Sequence, residues 1–120
     1  MKIAITSKGT GLDSEIDPRF GRAGYILIVD TSSLKVEALD NSKNVNAFKG
    51  AGINAATMVS NKGASVLLTG FCGPNAFKIL DAAEIKVSND ISSGTVRDAI
   101  KAFNEEKVSF ADTANTEGHI

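Results

Sequence analysis

Polar and apolar residues alternate at the front of the chain and recur at helical spacing behind it. In Lys2–Thr6, Ile3 and Ile5 alternate with Lys2, Ala4 and Thr6, which predicts a strand whose successive side chains face opposite ways. Gly9 and Gly11 then open a polar loop. The second predicted strand, Gly24–Asp30, contains the unbroken apolar run Tyr25-Ile26-Leu27-Ile28-Val29. Continuous apolarity needs cover on both faces, so this strand lies inside a sheet with helices on each side. After the turn Thr31-Ser32-Ser33, Lys35–Asp40 returns to alternation, with Val36 and Ala38 against Lys35 and Glu37. That is the pattern of an edge strand paired antiparallel with its predecessor.

Residues 41–49 are mostly polar and predict a loop. Ile53, Ala56 and Val59 then recur at helical spacing over about Ile53–Asn61, and Gly63 stops that helix. Ser65–Thr69 is a further buried strand, and Gly70–Gly73 turns from it into a helix with Pro74 at its first position and an inner stripe of Ala76, Phe77 and Leu80. A short strand at Ile85–Val87 precedes a third helix, capped by Thr95 with Asp98 three residues on, close to a capping box. Val96, Ala99, Ile100 and Phe103 form its buried face. Beyond Phe110 no period remains, so the chain divides into one domain, residues 1–110, and a flexible tail, 111–120. The order β-β-β-α-β-α-β-α predicts an α/β fold of three layers, α/β/α, around a mixed five-stranded sheet with right-handed crossovers. Ligands of such sheets sit beyond the carboxyl ends of the parallel strands. The loops there are those after the first strand, before the first helix and at Gly70–Pro74.

Composition narrows the function classes. The chain has 120 residues, 13 Lys and Arg against 14 Asp and Glu, and a net charge of −1. A near-neutral domain lacks the basic stripe of a general nucleic-acid binder. The lone Cys72, no charged-then-apolar leader and no apolar run approaching ~18 residues argue for a cytoplasmic protein without a membrane span. Charge is uneven, however. Residues 41–80 hold Lys43, Lys49, Lys62 and Lys78 and no Asp or Glu, either chance clustering on helix surfaces or the acid-free surroundings that an anion needs.

Three motifs carry candidate chemistry. Gly50, Gly52 and Ala55 follow a Gly-x-Gly-x-x-Ala spacing, yet no buried strand precedes them and no acid lies about 20 residues on, so a dinucleotide site does not follow. What is left is a packing turn or the amides of a helix N-terminus beside Lys49, a general anion-binding feature. Cys72, in Gly70-Phe71-Cys72-Gly73-Pro74-Asn75, precedes a helix whose dipole favours thiolate, a ligand for soft metals, although a lone cysteine is more often buried filler. The only histidine, His119, lies in the tail, so a Cys-His nucleophile is not spelled out. Asp17-Pro18-Arg19-Phe20-Gly21-Arg22 sets two arginines at the entry to the second strand. They serve either to hold an anion, with Asp17 positioning one of them, or to staple the loop through an Asp17–Arg pair. The first strand lacks the carboxylates of a two-metal nuclease, and no carboxylate pair is placed for acid–base work, which favours a binding module over an enzyme.

In their joint order, the Asp17–Arg22 entry, the Gly50-Ala51-Gly52 helix start, the Thr69–Ala76 turn and the Ile85 and Thr95-Val96 ending resemble the dinitrogenase iron-molybdenum cofactor biosynthesis family over about residues 1–104. The resemblance implies a ribonuclease-H-like fold without nuclease activity and a role in binding, storing or handing over a metal–sulfur cluster. It is strongest to the family's small single-domain members of sulfate reducers, carriers of a mixed molybdenum–copper sulfide cluster. Nitrogenase-branch relatives commonly carry His before the Phe-Gly pair, where this chain has Arg19. Arginine cannot ligate a metal, which turns the expected cargo from the iron–molybdenum cofactor towards an anionic thiometallate. The implied site is Arg19, Phe20 and Arg22, Lys43 and Lys49 with Gly50 and Gly52, and Gly73 and Asn75, with Cys72 as a neighbour or optional metal ligand. The expected partners of this monomer are the inorganic cluster and an acceptor or assembly protein. A metal-free interaction module and a Cys72 thiolate enzyme are the other classes the sequence leaves open.

Overall fold

The computed structural model of the chain describes residues 1–45 and 50–115. Five strands form one sheet: β1 Lys2–Ser7, β2 Tyr25–Asp30, β3 Val36–Asp40, β4 Val66–Leu68 and β5 Lys86–Ser88, in the order β3-β2-β1-β4-β5. β2 runs antiparallel to both β1 and β3, whereas β1, β4 and β5 are parallel. This is the mixed five-stranded sheet that the hydropathy pattern predicts. α2, Ala51–Asn61, leads from the antiparallel half into β4; α3, Pro74–Ala82, joins β4 to β5; α4, Val96–Asn104, follows β5.

The pleat sends neighbouring side chains into two different cores. Ala4, Ile26, Ile28, Leu67 and Val87 pack with Ala55, Ala56 and Val59 of α2 and Ala76 and Leu80 of α3. Ile3, Ile5, Leu27, Val29, Val66 and Leu68 face the other way, against Val96, Ala99 and Ile100 of α4. The unbroken apolar run of β2 is therefore covered on both sides, each fully buried Ile or Leu contributing about 1.5–3 kcal/mol of transfer free energy. α4 starts at a complete capping box: Asp98 N donates to Thr95 Oγ1 at 3.1 Å, and Thr95 N donates to Asp98 Oδ2 at 3.0 Å. The Thr95 N–H and hydroxyl hold the Asp98 carboxyl below its ordinary range.

Two segments depart from the sequence-based expectation. Within the predicted loop 41–49, Ser42–Val45 forms a short helix, α1. Asp40 Oδ1 accepts from Ser42 N at 2.8 Å, while Asn44 Nδ2 donates to Asn41 Oδ1 at 2.6 Å and Asn54 Nδ2 to Asn44 Oδ1 at 3.2 Å. These amides supply from tertiary contacts what intrinsic propensity does not. The second departure is behind Phe110. Residues 111–115 form no helix or strand, yet they are fastened to the body: Ala111 N donates to Val87 O at 2.7 Å and Asn115 N to Cys72 O at 2.9 Å. The stretch expected to be a flexible tail is thus hydrogen-bonded to the body over 111–115, and 116–120, His119 included, lie outside the described residues.

Candidate functional site

The first loop is drawn across the carboxyl ends of β1 and β4. Thr6 Oγ1 donates to Asp17 O at 2.6 Å and shares a hydrogen bond with Thr69 Oγ1 at 2.9 Å. Both Gly70 N and Phe71 N donate to Pro18 O, at 3.0 and 2.6 Å, and Phe20 N donates to Phe71 O at 3.1 Å. This close approach requires Gly70, since a Cβ there would lie 2.7 Å from Pro18 Cβ and 2.9 Å from Ile91 O.

Fastened this way, the loop presents Arg19 on the outside and Phe20 on the inside. Asp17, with its side chain only 7% exposed, accepts from Arg19 N at 3.2 Å and lies 3.7 Å from Arg19 Nε. The Asp17 carboxylate thus staples the loop backbone and lies beside a guanidinium that stays half exposed. Phe20 is buried and starts a 3-10 turn, Phe20–Arg22. Arg22 Nη1 donates to Asn44 O at 3.3 Å, tying this turn to α1.

Gly21 brings the turn against α2 backbone to backbone: a Cβ on Gly21 would stand 2.8 Å from Gly52 N and 3.0 Å from Gly52 Cα. α2 begins at Gly50, whose φ of 82° is left-handed, and α3 begins at Gly73 with Pro74 in its first turn. Neither helix has a side-chain cap or an acidic residue in its first turn. Their leading amides carry partial positive charge that no side chain of the helix offsets. Both N-termini open on one cavity of about 540 Å³, lined by Arg19, Phe20, Gly21, Arg22, Gly50, Ala51, Gly52, Phe71, Gly73 and Asn115. A smaller recess of about 200 Å³ adjoins it, with Asn75 and Ile53 on its wall. The volume is within the range of small-ligand sites, and among the described residues no Asp or Glu lines either space.

The structure therefore gathers Arg19, Phe20, Arg22, Gly50, Gly52 and Gly73 around the larger space and Asn75 around the smaller. Gly52 is at once a packing position and part of the wall. The picture changes for Lys43 and Cys72 and does not reach Lys49. Lys43 is exposed on α1 and does not line the cavity, its charge acting on Asp40. Lys49 lies outside the described residues. Cys72 is fully buried in the core beneath α2 and α3. Burial pushes its thiol up to about 12, the reverse of the expected dipole effect, because desolvation of a thiolate outweighs a partial charge at the helix start. As folded, Cys72 is neither an exposed ligand nor an activated nucleophile.

The acid-free window matters through its missing carboxylates rather than its lysines. Lys62 pairs with Glu37 at 2.6 Å and Lys78 is exposed on α3 away from the cavity. Among the described residues the cations at the site are Arg19 and Arg22, from outside that window. Sequence reasoning overlooked Gly21 and Asn115. A glycine between two large residues signalled the first, and nothing local signals the second. Among the described residues no three His, Cys, Asp or Glu side chains are grouped to hold a metal ion, and no helix is long and apolar enough to cross a membrane.

Comparison with known proteins agrees with this architecture. The family model described as dinitrogenase iron-molybdenum cofactor matches residues 1–106. The apo form of the orange protein from Desulfovibrio gigas is 45% identical, superimposes with a TM-score of 0.92 and matches over 96% of each chain. A Thermotoga protein of the DUF35 family, solved by NMR, is 38% identical with a TM-score of 0.83 over 98% of each chain. No match was found among curated proteins. With a family match over nearly the whole domain and two relatives of 45% and 38% identity that superimpose along almost their full length, the chain belongs to the dinitrogenase iron-molybdenum cofactor family.

Proposed function

We propose that this protein is a non-catalytic carrier of an anionic metal–sulfur cluster, which it stores or hands to an acceptor protein. One observation carries the reading. Two uncapped helix N-termini and two arginines converge on a cavity whose lining holds no carboxylate among the described residues. Such a space attracts a compact polyanion by charge and hydrogen bonding, and it needs no ligating side chain. Phe20 and Phe71 supply apolar wall that keeps water from part of the cargo's surface. The family to which the chain belongs supports a cluster as the anion.

Within that class, a molybdenum–copper sulfide is the favoured cargo and an iron–molybdenum cofactor the less favoured one. Arg19 stands at the position where nitrogenase-branch relatives commonly place His, and a guanidinium offers donors to an anionic sulfur shell without competing for the metal. The protein acts as a cytoplasmic monomer on this reading. Its partners are the inorganic cluster and its acceptor, not nucleic acid or a membrane.

The test is elemental analysis with a visible spectrum on protein purified without chelators, repeated after adding tetrathiomolybdate with copper. Bound metal with sulfur-to-metal charge-transfer bands is expected. Arg22→Ala and Arg19→Ala should each weaken uptake by roughly 10–100-fold, the loss of a charge-assisted hydrogen bond at about 1.5–3 kcal/mol. Protein that takes up no metal under either condition overturns the carrier reading and leaves a metal-free interaction module in its place.

A further inference from the structure

Residues 111–115 are held by hydrogen bonds more than by packing. Their side chains, from Ala111 to Asn115, are exposed or half-buried. Ala111 N donates to Val87 O, and Asn89 Nδ2 donates to Thr113 O at 3.1 Å. The remaining fastening is concentrated in Asn115. Its Nδ2 donates to Gly70 O at 3.0 Å and to Asn89 O at 2.9 Å. Its Oδ1 accepts from Cys72 N at 2.9 Å, and its backbone N donates to Cys72 O at 2.9 Å.

Only a carboxamide meets this demand. Two carbonyls and one N–H converge on the side chain, so it must offer two donors and an acceptor at once. Aspartate keeps the acceptor and sets an anion against two carbonyl oxygens, and alanine offers nothing. The turn clamped in this way, Gly70–Gly73, is the one that carries the N-terminus of α3 to the cavity, and Asn115 itself forms part of the wall beside Arg19 and Phe71.

We propose that Asn115 is a positioning residue of the cluster site: its carboxamide fixes the turn before α3 and keeps one wall of the cavity closed, so that bound cargo is retained. This inference rests on the carrier reading above. Retention acts on departure, so the dissociation rate should change more than the association rate.

The experiment compares the full chain with Asn115→Ala and Asn115→Asp. It reads hydrogen exchange at Cys72 N–H without cargo and release of tetrathiomolybdate loaded with copper, followed by loss of its visible bands. Ile100→Val, in the core on the opposite face of the sheet, is the control for general destabilisation. The expected result is that both Asn115 variants exchange Cys72 N–H at least tenfold faster and release cargo about tenfold faster, with Asn115→Asp the worse, while Ile100→Val releases at the wild-type rate. Unchanged exchange at Cys72 overturns the clamp. Faster exchange with an unchanged release rate, or equal release from Ile100→Val, overturns the role in retention and leaves the carrier reading standing. Wild-type protein that never loads overturns the carrier reading, and retention with it, whatever the exchange shows.

Discussion

Replacing Gly21 by alanine tests whether the cavity depends on the contact between the Phe20–Arg22 turn and the start of α2. The added methyl would lie 2.8 Å from Gly52 N, 3.0 Å from Gly52 Cα and 3.1 Å from Ala51 C. Ordinary contact begins at 3.4 Å, so the two backbones must separate by about 0.6 Å. None of the three atoms belongs to a flexible side chain, and on the far side Gly52 is itself packed, a Cβ there falling 3.2 Å from Ala76 Cβ. The strain of such overpacking is about 1–3 kcal/mol. For a domain of this size that lowers the melting temperature by roughly 4–12 °C. The same displacement moves Arg22 and the leading amides of α2 apart, so uptake of tetrathiomolybdate with copper should weaken at least about tenfold, or 1.4 kcal/mol. Urea unfolding gives the first quantity and titration followed by visible absorption the second. A Gly21→Ala protein with wild-type midpoint and wild-type uptake would show that the approach of the two backbones is neither tight nor needed.

Further predictions concern groups away from the cargo. Because burial raises the Cys72 thiol from 9.0 to about 12, the folded state holds a proton that the unfolded chain gives up first. Stability should therefore fall as pH rises from about 9 towards 12, by up to about 1.4 kcal/mol per pH unit. That slope should be absent from Cys72→Ala, and equal slopes in urea unfolding of the two proteins would refute it. Cys72→Ala should also still load cargo, since the thiol is buried behind the cavity wall. Thr95→Ala removes the acceptor of the capping box and should cost about 0.5–2 kcal/mol in thermal unfolding, while leaving cargo affinity unchanged because α4 packs on the opposite face of the sheet.

The frame of the fold is legible in the sequence because its signals are local. Ile26 to Val29 could not be exposed on either face, and the Thr95 and Asp98 pair marks the start of α4 without reference to the rest of the chain. The arginine loop is legible for a similar reason, as Asp17, Arg19, Phe20 and Arg22 fall within six consecutive residues. What escaped notice depends on distant partners. α1 is fastened through Asn41, Asn44 and Asn54, and Asn115 through groups 43 and 45 residues away. An asparagine in an unpatterned stretch looks the same whether its amide meets water or three backbone groups. At Cys72 the dipole of α3 favours thiolate and burial opposes it, and only the fold shows that the residue is buried, where desolvation is the larger effect. Of the lysine window, Lys62 and Lys78 lie away from where α2 and α3 converge, as amphipathic helices turn lysines towards solvent, while Lys49 lies outside the described residues.

The direction of β1 also decides how the protein is best handled. Met1, whose carbonyl accepts from Thr31 N at 3.0 Å, lies at the amino end of that strand, whereas the cavity lies beyond its carboxyl end. Asn115, five residues before the last in the sequence, is part of the cavity wall. A polyhistidine tag appended after Ile120 would be joined to that wall residue by only five residues, within chain reach of the space where metal uptake is to be measured, and would bring its own copper affinity to the assay. The same tag placed before Met1 leaves from the other end of the sheet, so purification and metal analysis stay independent.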